Sequence, residues 1–107
     1  MEMAEFAVVL TTLPLDSDAG ALAESLVGER LAACVNILPP MESIYRWKGG
    51  VEKGSERQLV IKTTANRVAA LQQRLRELHP YDVPEMLVLP VSTGSDAYLA
   101  WLRESCE

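Results

Sequence analysis

Apolar and polar positions along this chain follow two periods in turn, one near 2 and one near 3.6. Phe6 to Thr12 is a short apolar run closed by two threonines, which predicts a buried first strand stopped by Pro14. Asp16, Ser17 and Asp18 then offer N-caps to a segment with Ala19, Leu22, Ala23, Leu26 and Val27 at the spacing of an amphipathic helix, ended by Gly28 or the residues just after it. Leu31 to Leu38 reads as a second strand, and after the bend of Pro39-Pro40 extended structure resumes at Ser43 to Trp47. Gly49-Gly50 signals a hairpin, followed by Val51 to Thr63, where Leu59, Ile61 and Thr63 alternate with Gln58, Val60 and Lys62. Thr64 or Asn66 is placed to cap a second helix carrying Val68, Leu71, Leu75 and Leu78 on one face, and His79-Pro80 ends it. Met86 to Val91 is a compact apolar strand, and Ser95 or Asp96 caps a last helix holding Tyr98, Leu99, Trp101 and Leu102.

The order β-α-β-β-α-β plus a C-terminal helix is an α+β, ferredoxin-like arrangement, with two helices on one face of a four-stranded antiparallel sheet. In a chain this small the second sheet face is either polar or covered by another molecule. The apolar residues on both sides of Leu31 to Leu38 favour a cover, and homo-oligomerisation supplies one economically.

At 107 residues the chain is one domain, 1–107, with room for a single core. Ten Lys and Arg against 15 Asp and Glu give a formal charge of -5, so there is no basic field for a phosphate backbone and nucleic acid is not an expected partner. Cys34, inside an apolar run, reads as a small core residue, and with Cys106 it makes no metal or disulfide framework, which favours a reducing compartment. Met1 to Glu5 carry acid where a secretory leader carries base, and no apolar run reaches membrane-spanning length. These features predict a cytoplasmic protein without a membrane partner.

The only histidine lies in His79-Pro80-Tyr81-Asp82-Val83-Pro84-Glu85, where each proline pushes the residue before it toward extended geometry. A loop so stiffened either presents an imidazole, a phenol and two carboxylates to a ligand or merely connects a helix to a strand, with His79 bonding the last helical carbonyls. No GxSxG elbow or phosphate loop is present, and Gly49, Gly50 and Gly54 read as turn glycines. Glu52, Glu56 and Glu85 could pair as an acid and base but read more simply as solvated surface. Imidazole, thiolate and carboxylate suit copper or zinc, yet one chain offers few convergent ligands. Tyr45, Trp47, Tyr81, Tyr98 and Trp101 all lie outside the first strand and helix, and such aromatics serve either cores or subunit interfaces.

Five blocks in order, Leu31-Ala32-Ala33-Cys34-Val35-Asn36-Ile37, Ser43 to Gly49, Ile61 to Thr64, Leu78 to Glu85 and Tyr98 to Leu102, resemble the CutA divalent-cation tolerance family over nearly the whole chain. The resemblance implies a PII-like protomer assembled as a homotrimer, a cytoplasmic location, and a role in tolerance of copper or another divalent cation. Family members with an assigned copper site use a cysteine and two adjacent histidines, which correspond here to Thr11, Leu78 and His79, so only the last ligand type survives. Arg57 stands where the family often has a further acid. The first expectation is therefore a non-enzymatic metal-response protein that binds a divalent cation weakly through His79 and nearby carboxylates. The second is a PII-like module in which Tyr45, Trp47, Lys62, His79, Tyr81, Glu85 and Trp101 line an inter-subunit cleft for a small anion, with Lys62 and His79 as donors and Lys62 paired to that anion or to Glu85. A hydrolase or lyase using His79 and Glu85 lacks a nucleophile, and the seven residues could equally serve only as interface anchors.

Overall fold

Alternate residues of the first strand face two different environments. The computed structural model describes residues 4–107, so the Met1 to Met3 part of the leader expectation lies outside the described residues. Strand β1 (Phe6–Pro14) sits between β3 (Gly50–Thr64) and β4 (Leu87–Val91), with β2 (Cys34–Trp47) outermost beyond β3, giving an antiparallel sheet of order β2-β3-β1-β4. Val9 stands opposite Ile61 and Thr11 opposite Leu59, and all four are fully buried beneath helices α1 (Ala19–Gly28) and α2 (Val68–Leu78). The helices contribute Leu22, Leu26, Leu71 and Leu75 to that core. This is the ferredoxin-like α+β fold expected, with α3 (Asp96–Ser105) added after β4.

Local chemistry explains most boundaries. Asp18 caps α1 by accepting from the Ala21 N–H at 3.0 Å, and Ser95 caps α3 by accepting from the Tyr98 N–H at 3.2 Å. His79 closes α2 in an extended conformation (φ −80°, ψ 136°), as a residue before proline should. Arg103 ties α3 to the start of β1 through the Glu5 carboxylate at 2.6 Å, above a smaller cluster of Phe6, Ala33, Leu102 and Cys106.

Several boundaries depart from the sequence pattern. Leu31 to Ala33 form a buried connection instead of a strand, because the Leu31 and Ala32 amides donate back to the Leu26 carbonyl and close α1. β2 does not break at the prolines but runs through them with a register shift between Ile37 and Pro40. The hairpin turn is Lys48-Gly49 and not Gly49-Gly50: Trp47 pairs with Gly50, and both turn residues have positive φ (49° and 81°), the signature of a type I′ turn. Neither Thr64 nor Asn66 caps α2, since Thr64 donates to the Asn66 side chain and a turn of 3-10 helix (Ala65–Arg67) leads in. Cys34 is half-buried and not a core residue; the buried thiol is Cys106.

The second sheet face carries Val8, Leu10, Val60, Lys62 and Cys34, with Leu87 and Leu89 of β4 about half exposed beside them. Among the described residues no helix is long and apolar enough to cross a membrane.

Candidate functional site

The stiff loop after α2 is stitched to two strands by three side chains. The His79 imidazole is buried (8 % exposed), and its Nε2 lies 2.7 Å from the Thr12 carbonyl of β1. Only a protonated nitrogen can bond a carbonyl, so Nε2 carries the hydrogen and donates it. Nδ1 is then the acceptor, and the Tyr81 N–H donates to it at 3.1 Å. The Tyr81 ring packs tilted against His79, 5.0 Å between centroids, and its hydroxyl donates to the Glu56 carboxylate of β3 at 3.4 Å. Gln58 completes the seam: its side-chain N–H groups donate to the Thr11 carbonyl at 2.7 Å and to the Glu85 carboxylate at 2.8 Å.

Between this loop and the β2–β3 hairpin runs an open groove of about 870 Å³. Ile44, Tyr45, Trp47 and Glu56 form its hairpin wall, and Tyr81, Asp82, Pro84 and Glu85 its loop wall. Among the described residues no Lys, Arg or His lines it. The Lys48 ammonium stands 6.0 Å from the centre of the Trp47 ring, at the limit of a cation–π contact. The Tyr81 phenol is pushed above its ordinary value, first by burial and then by the Glu56 charge and hydrogen bond, with Tyr45 and Asp16 adding to the effect.

Of the seven residues expected to share a cleft, Tyr45, Trp47, Tyr81 and Glu85 do line this groove, and His79 lies beneath it as the loop's clamp. Lys62 and Trp101 do not join them within one chain. Lys62 stands opposite Val8 and Cys34, six residues along β3 from Glu56 and so roughly 20 Å away. Within one chain Glu85 bonds Gln58 and not Lys62. Trp101 packs against Tyr98 on α3, which covers the Phe6 end of β1 while the groove adjoins the Thr12 end. All seven come together only if a second copy contributes.

The soft-metal set does not assemble in this chain. With Nε2 donating to Thr12 and Nδ1 accepting from Tyr81, His79 has no lone pair to give a cation. Thr11 points into the helix-covered core, fully buried and with no partner for its hydroxyl, and Leu78 packs against the same core. Among the described residues no three of His, Cys, Asp and Glu converge. Nor does Glu85 bond His79, so the acid–base pair of the enzymatic reading is not formed.

Sequence reasoning missed Gln58, Thr12 and the carbonyl of Thr11. The signal for Gln58 was present in the period of β3, which puts it on the same face as Glu56, but a backbone carbonyl partner leaves no trace in sequence.

The sequence pattern of the family described as CutA1 divalent ion tolerance protein matches residues 7–105. The divalent-cation tolerance protein CutA of Thermus thermophilus is 50% identical over 98 residues, covering 92% of this chain and 95% of that protein. The chloroplastic protein CutA of Arabidopsis thaliana is 47% identical over 98 residues, 92% of this chain and 54% of that one. The crystal structure of CutA from Xylella fastidiosa superposes with a TM-score of 0.92 at 41% identity, covering 97% of this chain and 100% of that one.

Proposed function

The chain belongs to the CutA1 divalent ion tolerance family, and on that premise we propose that it serves divalent-cation tolerance as a non-enzymatic, homotrimeric binding protein of the cytoplasm. The observation that carries this reading is the groove: aromatic and carboxylate walls held by a hydrogen-bonded seam, without a nucleophile–base pair among the described residues. Assembly is supported by the half-exposed row of Leu87 and Leu89 beside Val8, Leu10 and Val60, a face of apolar side chains that a second and third copy would cover. The number three comes from the family resemblance.

In this reading His79 is the clamp of the loop and not a copper ligand, and any copper binding is weak. Calorimetric titration of copper into wild type and His79→Ala tests it, with melting temperature as the second readout. Weak binding little changed by the mutation, together with a lowered melting temperature, is the expected result. A tight site abolished in His79→Ala would overturn it. Light scattering after gel filtration should give three times the 11.8 kDa chain mass; a monomer at micromolar concentration would remove the trimer.

The groove itself favours a second reading, a PII-like module that binds a small molecule there. Its volume and mixed apolar–polar walls match small-molecule sites, which span roughly 300–1,000 Å³.

A further inference from the structure

We propose that the helix-side face of the β2–β3 hairpin is a docking surface for an acidic, partly apolar segment of another protein, lying extended across it. This face is the reverse of the wall that the hairpin gives to the groove.

β3 pairs without a break with β2 from Gly50 to Arg57 and with β1 from Glu56 to Thr64, so Val51, Lys53, Ser55 and Arg57 fall on the same side as the core residues Leu59 and Ile61. On β2, Arg46 stands opposite Val51, Ile44 opposite Lys53 and Glu42 opposite Ser55. Tyr45, Trp47, Glu52 and Glu56 take the reverse side. The hairpin thus divides its charge, with Arg46, Lys53 and Arg57 against Glu42 on the helix side and Glu52 and Glu56 on the groove side. A net positive face on a chain of formal charge -5 is local in origin. Copies that stack through Val8, Leu10, Val60, Leu87 and Leu89 use the opposite side of the sheet, which leaves this face outward in the assembly.

Val51 (69 % exposed) and Ile44 (61 %, also bordering the groove) are the most exposed large apolar side chains on any strand, and each stands directly across from one of the cations. Among the described residues Arg46, Lys53 and Arg57 are in no ion pair. Arg57 spends one donor on the Leu38 carbonyl at 3.4 Å and keeps the rest of its guanidinium N–H groups. Apolar side chains beside unpaired cations fit a segment in which an aliphatic residue is flanked by carboxylates. In an extended segment such residues recur on one face every ~7 Å, the same step that separates Val51 from Lys53. Glu42, set among the cations, makes the face a poor match to an anionic membrane, which attracts each basic residue and repels each acid.

The test uses the hexapeptide Glu-Glu-Val-Val-Glu-Glu, which sets a valine between two glutamates on each of its faces, its counterpart Lys-Lys-Val-Val-Lys-Lys, and vesicles of phosphatidylserine with phosphatidylcholine. Isotope-labelled full-length protein reports the helix-side face through the Val51 methyls and the groove side through the Trp47 indole. A soluble paramagnetic agent is expected to broaden the Val51 methyls in the free protein; their protection would show a neighbouring copy on this face and overturn the proposal. The glutamate peptide is expected to shift Val51 and leave Trp47 in place, and Arg46→Glu combined with Lys53→Glu should weaken its binding about tenfold or more. The double variant must keep the wild-type mass and melting temperature; if it does not, Val51→Ser takes its place with the same expected direction. A shift of Trp47 alone moves the site to the groove, and an equal response to the lysine peptide removes charge recognition. A response to vesicles alone makes the partner a lipid surface, and silence toward all three probes leaves a solvated face. Each of these four results overturns the proposal.

Discussion

The two halves of β3 obey the same alternation and meet opposite fates. In the second half Leu59, Ile61 and Thr63 are fully buried, whereas from Gly50 to Glu56 not one residue is. The second half is covered by α1 and α2; the first half is paired along its length with β2 alone, β1 and the loop reaching only Glu56 at its end through Pro14 and Tyr81, and it projects as an arm of a molecule whose long axis is 44 Å. Burial therefore follows from which elements the chain can fold back over the strand, and the groove lies where that cover ends. The core half gives the protomer its stability, and the arm half carries one wall of the groove.

Four experiments probe this division, beginning with the greatest expected change. Leu71→Ala removes a fully buried side chain over the core half and should cost about 2–5 kcal/mol in denaturant unfolding; a cost below about 1 kcal/mol would show that the core half does not dominate stability. Gln58→Ala cuts the junction between the halves. It should cost about 1–3 kcal/mol and speed amide exchange across 80–85, because the Thr11 carbonyl and Glu85 lose their donor together. Equal exchange in the mutant would mean that His79 and Tyr81 hold the loop without it.

Thr11→Val replaces a buried hydroxyl that has no partner with a methyl of similar shape, and should raise stability by about 1 kcal/mol. Loss of stability would reveal a hydrogen bond to that hydroxyl. The smallest effect belongs to the groove. Because the Tyr81 phenol is raised in the folded protein, its contribution to stability is fully present below pH about 10 and is lost as pH climbs through the folded value. Ultraviolet titration, assigned with Tyr81→Phe, should show a late-ionising phenol that Glu56→Gln moves back toward the ordinary value. An unmoved titration would leave burial as the main cause, with Tyr45 and Asp16 adding to it.

The helix-covered half was legible in the sequence, and the arm half only in outline. The alternation of Leu59, Ile61 and Thr63 against Gln58, Val60 and Lys62 fixes which side chains face the helices, because the strand period admits no other solution once one face is buried. The same alternation placed Lys62 on the uncovered face, correctly, but said nothing about its distance along the strand from Glu85. Lys48-Gly49 was hidden because a lysine with positive φ is uncommon, and Gly49-Gly50 is the stronger turn pattern on paper. The role of His79 was open in sequence since its partners are main-chain groups. The five family blocks gave the identity with much less ambiguity than the site, for a fold tolerates the loss of a thiol and an imidazole that a metal centre does not.

The outer strands of the sheet share a feature with a consequence for solution behaviour. β2 carries Pro39 and Pro40 at its register shift, and β4 carries Pro90 beside the half-exposed Leu87, Val88 and Leu89. A proline has no N–H to offer an incoming strand, so both rims present an interrupted row of donors. Copies of this chain can stack on the apolar sheet face, but extending the sheet sideways meets a gap at each rim. Association is thereby steered toward small closed particles, and concentrated solutions should remain free of cross-β fibres.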